Sequence, residues 1–219
     1  MPTRRSGSFG EGWKKVLGKR RGRLVVLSAP SGSGKTTILE ALWRAEPGVV
    51  RSVSMTTRPP RPGERNRRDY RFVTRERFAQ ARRRGELLEQ ARILGQWYGT
   101  PRRPVEQALC AGRDVLLGLD IQGTRQIRRS GLPATTIFLL PPSLGVLRRR
   151  LQRRGTETAA QIQARLRLAH RELEEVHRYD YAVVNERLWE AIGAVRTILR
   201  AQRYRVEVCY SVDRGRNGC

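Results

Sequence analysis

Apolar positions recur along this chain with two periods, and the alternation between them outlines a fold. Leu24-Val25-Val26-Leu27 is a short, continuous, β-branched run, as a strand buried on both faces should be. After a glycine-rich turn, Ile38, Leu39, Leu42 and Trp43 fall at helical spacing, and Glu46-Pro47-Gly48 stops that helix before a second strand at Val49 to Val53. Asp114 to Asp120, Thr135 to Leu140 and Tyr181 to Val184 read as further strands, and Val206 to Tyr210 as an edge strand. Helices are predicted near Pro104 to Ala111, through Ile127, and from Ser143 to Gly155. Another starts at Thr158, where Gln161 completes a capping box, and carries the stripe Ile162, Leu166, Ala169, Leu173 and Val176. The last helix follows Asn185 as its cap, with Leu188, Ile192, Val195 and Leu199 on one face. Strand and helix in repeated order predict an α/β fold, a doubly wound parallel sheet between two helical layers.

The stretch from Ser54 to Gly99 breaks this texture. It is turn-rich and cationic, with a short strand around Tyr70, a helix from Thr74 and a run at Glu86 to Glu89. It is too polar for a core crossover and reads as a small insertion closing over the sheet from one side.

The turn after the first strand carries the first chemistry. Ala29, Pro30, Ser31, Gly32, Ser33, Gly34, Lys35, Thr36 and Thr37 form a P-loop in which Ala replaces the usual first Gly. Backbone N–H groups of such a loop cradle phosphates at a helix start, Lys35 reaches the outer phosphates, and the Thr36 hydroxyl holds Mg²⁺.

Charge widens the possibilities. The chain of 219 residues carries a formal +25, nearly all of it arginine, since Lys14, Lys15, Lys19 and Lys35 are its lysines. Such an excess suits polyanions, including weak non-specific binding of nucleic acid, and equally follows from codon bias. The leader, with Gly7, Gly10, Gly12 and Gly18 and with Glu11 as its one acid, reads as disordered, with a transit peptide as the lesser reading. Cys110, Cys209 and Cys219 show no paired spacing and no run of roughly 18 apolar residues suggests a membrane span, so a cytoplasmic protein is expected. His170 and His177 read as surface residues.

A second cationic cluster, Arg58 and Arg61 with Tyr70 and Tyr98, suits a phosphate dianion, because guanidinium forks bind phosphate bidentately and phenols add neutral donors. Ser54, Glu64, Glu89 and Thr100 belong to the same cluster. Glu89 would accept from adjacent donors such as guanine N1 and N2, and would repel adenine. The arginines at 148–150, 153, 154 and 165 could neutralise a transferring phosphoryl group, while Arg149 and Arg153 read as a solvated face.

These residues make the chain resemble the guanylate kinases from about Leu24 to about Arg203. The resemblance is carried by SMTTRPPRPGE at Ser54 to Glu64, DYRFV at Asp69 to Val73, Glu89, WYGT at Trp97 to Thr100, DIQG at Asp120 to Gly123, and RRGTET at Arg153 to Thr158. It implies a P-loop core at 23–53, 101–140 and 169–207, a nucleoside monophosphate-binding insertion at 54–100 and a helical lid at 141–168, between a leader at 1–22 and a tail at 208–219. It also implies transfer from ATP to GMP with Mg²⁺. Ser54 and Glu89, with Thr100, would read the guanine; Arg58, Arg61, Tyr70 and Tyr98 would hold its phosphate. Arg150, Arg154 and Arg165 would be lid and transition-state arginines, Asn185 would line the adenine, and Asp120 would meet Mg²⁺ directly or through water.

The chain departs from that family at two positions. Gly118 stands where an acid is usual, on the strand side of Asp120, and Arg67 stands where Gly is usual, so its turn must differ or adopt a costly backbone. A binding module that has weakened catalysis, or a basic nucleic-acid-binding P-loop protein, are the competing expectations.

Overall fold

The computed structural model describes residues 21–93, 95–153 and 158–205. Residues 1–20 of the expected leader, the edge strand at Val206 to Tyr210, and Arg154 with Gly155 lie outside those residues. Along the chain the elements run β1 (Leu24–Ser28), α1 (Lys35–Ala45), β2 (Val49–Arg51), β3 (Met55–Thr56), β4 (Arg71–Phe72), α2 (Arg75–Arg83), β5 (Leu87–Ile93), β6 (Gln96–Pro101), α3 (Arg102–Cys110), β7 (Asp114–Leu119), α4 (Ile121–Arg129), β8 (Ala134–Leu140), α5 (Leu144–Arg153), α6 (Ala159–Leu173), β9 (Tyr181–Val184) and α7 (Leu188–Gln202).

Five of these strands form a parallel sheet in the order β2-β7-β1-β8-β9. Side chains alternate across a strand, so β1 feeds two cores. Val25 and Leu27 join Ile38 and Leu42 of α1 and Val195 and Leu199 of α7 on one face. Leu24 and Val26 join Val105 and Leu109 of α3 and Ile127 of α4 on the other. The sheet is therefore covered on both sides, which is why its strands are continuous apolar runs, and each fully buried aliphatic side chain contributes about 1.5–3 kcal/mol. The doubly wound α/β architecture is the one the periodicity predicts.

A second sheet, in the order β4-β3-β6-β5, carries α2 on one face through Met55, Phe78 and Ala81, with Phe78 stacked on Trp97. It is joined to the helix layer over the first by hydrogen bonds of one side-chain amide. Gln126 on α4 accepts from the Gln90 backbone N–H at 3.0 Å and donates to the Gln90 carbonyl at 2.5 Å. The pair fixes the register of β5 against α4.

Several local expectations change. Asn185 does not cap α7; the capping position is Arg187, with no side-chain hydrogen bond. Leu188 is 42% exposed, and the buried stripe of α7 is Ala191, Val195, Leu199 and Gln202. Val176 lies beyond α6 in a 3₁₀ turn, whereas the Thr158–Gln161 capping box forms as expected. Arg67 takes the costly option: its φ is +63°, the left-handed region that usually belongs to Gly. Cys110, at the end of α3, is disulfide-bonded, which its spacing does not indicate.

Candidate active site

Gly32 and Gly34 give the loop between β1 and α1 its shape, each with φ of +93°. A side chain would crowd both positions, Gly34 the more severely. A Cβ at Gly34 would lie 2.5 Å from Asn185 Nδ2, and one at Gly32 would lie 3.0 Å from the methyl groups of both Leu147 and Leu151 on α5. Asn185 is buried and donates from Nδ2 to the Ser33 carbonyl at 2.7 Å, while its backbone N–H donates to Leu140 at 2.8 Å. The residue expected along the adenine thus holds the back of the P-loop.

One of the three expected lid arginines reaches this loop, and a second reaches the Asn185 that backs it. Arg165 Nη1 donates to Ser31 Oγ at 2.6 Å, and Arg150 Nη2 donates to the Asn185 carbonyl at 3.1 Å. Arg150 is half-buried, whereas Arg148, Arg149 and Arg153 are exposed, which separates it from the solvated face of α5. Thr36 and Thr37 are exposed at the start of α1, whereas Ala29 and Pro30 at the start of the loop are buried.

Lys35 donates to the Leu119 carbonyl at 2.5 Å, at the end of β7. Burial lowers its pKa, opposed by the charges of Asp120, Glu172 and Glu89 in that order. Asp120 caps α4, its Oδ1 accepting from the Gly123 N–H at 2.8 Å. Glu172 near the end of α6 was not singled out in the sequence; burial raises its carboxyl to about 7, with the Lys35 charge pulling the other way. Its neighbours Glu174 and Glu175 look the same in sequence, so no pattern marks it.

The start of α4 also touches the second cluster. Glu89 on β5 is 5% exposed, accepts from Thr100 Oγ1 at 2.6 Å, and would lie 2.5 Å from a Cβ at Gly123. Ser54 Oγ is 3.4 Å from Thr100 Oγ1. Burial raises the Glu89 carboxyl to about 7, partly offset by the Thr100 hydrogen bond. Gly123 therefore gives β5 its approach, so that Glu89 and Lys35 share one electrostatic neighbourhood.

Arg58, Arg61, Glu64, Tyr70 and Tyr98 gather beside them. Glu64 receives both arms of the Arg58 fork, at 2.7 and 2.6 Å, and also the Arg61 backbone N–H at 2.8 Å. The Arg58 bonds hold the Glu64 carboxyl well below the usual range, and Glu64 raises the Arg58 guanidinium in turn. Glu64 is thus the orienting partner of Arg58. The Arg58 guanidinium lies 5.1 Å from the centre of the Tyr70 ring, and Tyr70 meets Tyr98 edge-on at 6.0 Å. Burial raises the Tyr70 phenol, keeping it a donor. The Arg61 guanidinium is exposed and makes no hydrogen bond or ion pair among the described residues, though its charge acts on Glu64 and Tyr70.

Gly118 points towards α1. A Cβ there would lie 2.3 Å from Leu39 Cδ1, and Leu39 is 6% exposed. An acid at 118 would have to displace a packed leucine before reaching the loop.

A parallel α/β sheet with a P-loop at its strand ends, and a cationic cluster on an adjoining sheet, define a P-loop nucleotide-binding protein. The family model described as Guanylate kinase matches residues 21–202. The chain is 47% identical over 196 residues to the guanylate kinase of Rhodopseudomonas palustris, covering 89% of each, and 48% identical over 185 residues to that of Rhodospirillum rubrum, covering 84% and 85%. The crystal structure of guanylate kinase from Anaplasma phagocytophilum is similar with a TM-score of 0.71 and 35% identity, over 86% of this chain and 90% of that one. The chain belongs to the guanylate kinase family.

Proposed function

We propose that this chain transfers the terminal phosphoryl group of ATP to GMP, yielding ADP and GDP, in the cytoplasmic synthesis and salvage of guanine nucleotides. The observation that carries this reading is the buried Glu89 carboxylate, bonded to Thr100 and facing the start of α4, in the electrostatic neighbourhood of P-loop Lys35. A carboxylate is a poor choice for a phosphate pocket and a good one for a base with two adjacent donors. Family membership supports the same activity.

In this reading the loop from Ala29 to Thr37 holds the ATP phosphates and Lys35 exchanges the Leu119 carbonyl for their oxygens. Arg58, Arg61, Tyr70 and Tyr98 hold the GMP phosphate, and Ser54, Thr100 and Glu89 read the base. One oxygen of that phosphate attacks the γ-phosphorus as the bond to the bridging oxygen breaks, and ADP leaves. Arg150, Arg165 and, outside the described residues, Arg154 neutralise the equatorial oxygens. An exposed hydroxyl at Thr36 and a carboxylate at Asp120 that spends one oxygen on Gly123 form a hard-oxygen donor set suited to Mg²⁺, which keeps several waters and substrate phosphates as ligands. When bound there, Mg²⁺ neutralises charge on the phosphate oxygens.

Among the described residues no helix is long and apolar enough to cross a membrane. The direct test is ADP formation with a panel of nucleoside monophosphates. GMP should be required, with AMP, CMP and UMP poor; equal turnover with AMP would overturn the reading.

A further inference from the structure

A cavity of about 480 Å³ opens on the second sheet, lined by Met55, Asn66, Arg67, Arg71, Phe72, Val73, Arg77, Glu86 and Pro101. None of these residues belongs to the P-loop, to the Arg58–Tyr98 cluster or to the base-reading set. Its size falls in the range of small-molecule sites. Its chemistry is divided: Met55 and Pro101 are buried floor, Phe72 and Val73 are half-buried wall, and the arginines form an exposed rim.

The charge of that rim is largely uncompensated. Glu86 is the one carboxylate in the lining, and it is paired with Arg77 at 3.1 Å and approached by Arg84 at 3.8 Å. The guanidinium groups of Arg67 and Arg71 have no hydrogen-bond or ion-pair partner among the described residues. Arg67 also carries the left-handed backbone, the one non-glycine among the described residues with positive φ. Strain of this kind persists where the surrounding structure fixes it, often at ligand clamps. Here the surroundings are the Arg67 N–H bonded to the Tyr70 carbonyl at 2.8 Å, and Asn66 Oδ1 accepting from the Phe72 N–H at 3.2 Å.

We propose that this cavity binds an organic phosphate with a compact apolar body, at a site separate from both substrate sites. The phosphate lies between the free forks of Arg67 and Arg71, and the body rests on Met55, Phe72 and Pro101. The same segment joins the two regions, since Glu64 and Tyr70 hold or touch Arg58 while Arg67 and Arg71 line the cavity. Occupancy therefore stiffens the loop that positions Arg58.

The probe is phenyl phosphate, titrated calorimetrically into the full chain with GMP and ADP present at saturation. One equivalent should bind, and inorganic phosphate should bind more weakly. Arg67→Gly, which also relieves the backbone, and Arg71→Gln should each weaken phenyl phosphate at least about tenfold, as loss of a charged hydrogen bond does. Both variants should keep their GMP turnover. No binding with the nucleotides present, unchanged affinity in both variants, or loss of GMP turnover in either would overturn the proposal. Equal affinity for inorganic phosphate would remove the apolar body from it.

Discussion

The P-loop side of this molecule and its acceptor side both suit phosphate, and they are built from different materials. On the P-loop side the shape is backbone: two glycines at φ of +93°, with Asn185 against one and Leu147 and Leu151 against the other. On the acceptor side the shape is charge: Arg58 forked onto Glu64, and a buried Glu89 held by Thr100. A backbone cradle is generic, since any nucleoside triphosphate offers it the same phosphates. A buried carboxylate is costly to ionise and is specific for that reason. In the proposed reading both sides hold phosphate, and the acceptor side alone discriminates.

The sharpest way to break that division is Glu89→Gln. It should lower kcat/KM for GMP by about 10⁴, the scale on which a site rejects a ligand that leaves its polar groups mismatched. The same change should stabilise the fold at pH 8. The folded carboxyl titrates near 7 against 4.5 without the burial, so the fold binds the extra proton between those values and loses stability as pH rises through 7. Thermal melts and steady-state kinetics on one preparation check both signs.

Arg150→Ala should cost about 10³ in kcat with little change in KM for GMP, as a group acting mainly in the transition state would. A rise in KM alone would remove Arg150 from the transition-state role and leave it holding Asn185. Asn185→Leu should cost about 10² in kcat/KM for ATP and leave GMP affinity unchanged, because it releases the Ser33 carbonyl and lets the loop drift. Equal damage to both substrates would mean that the two sides are not separable. The smallest effect is on stability: Gly118→Asp should destabilise the fold by about 1–3 kcal/mol through its collision with Leu39, and Leu39→Ala in the same chain should recover part of it.

The backbone half was the more legible in the sequence. Strand and helix order, the P-loop and the capping box at Thr158 all follow from local spacing, and local spacing is what one sequence displays. The costly backbone at Arg67 was one of two options left open by Arg standing where the family it resembles usually has Gly. What stayed hidden depends on partners far along the chain. Asn185 looked like a helix cap until Ser33, 152 residues away, took its amide. Glu64 read as a ligand group because its bond to Arg58 needs the intervening turn. Gln126 and Glu172 had no distinguishing neighbours, and Leu188 sat on the predicted stripe but outside the core.

The claim that Glu89 reads guanine as a carboxylate is tested most directly by the pH dependence of kcat/KM for GMP, measured for the wild type, Glu89→Gln and Glu172→Gln. This quantity reports groups of the free enzyme and free substrate. Glu89 must be ionised to accept from the base, so the wild type should lose activity as pH falls through about 7. The GMP phosphate titrates near about 6 and adds the same lower limb to all three. The account predicts that Glu172→Gln keeps the limb near 7 and Glu89→Gln lacks it. The same limb near 7 in Glu89→Gln would contradict it.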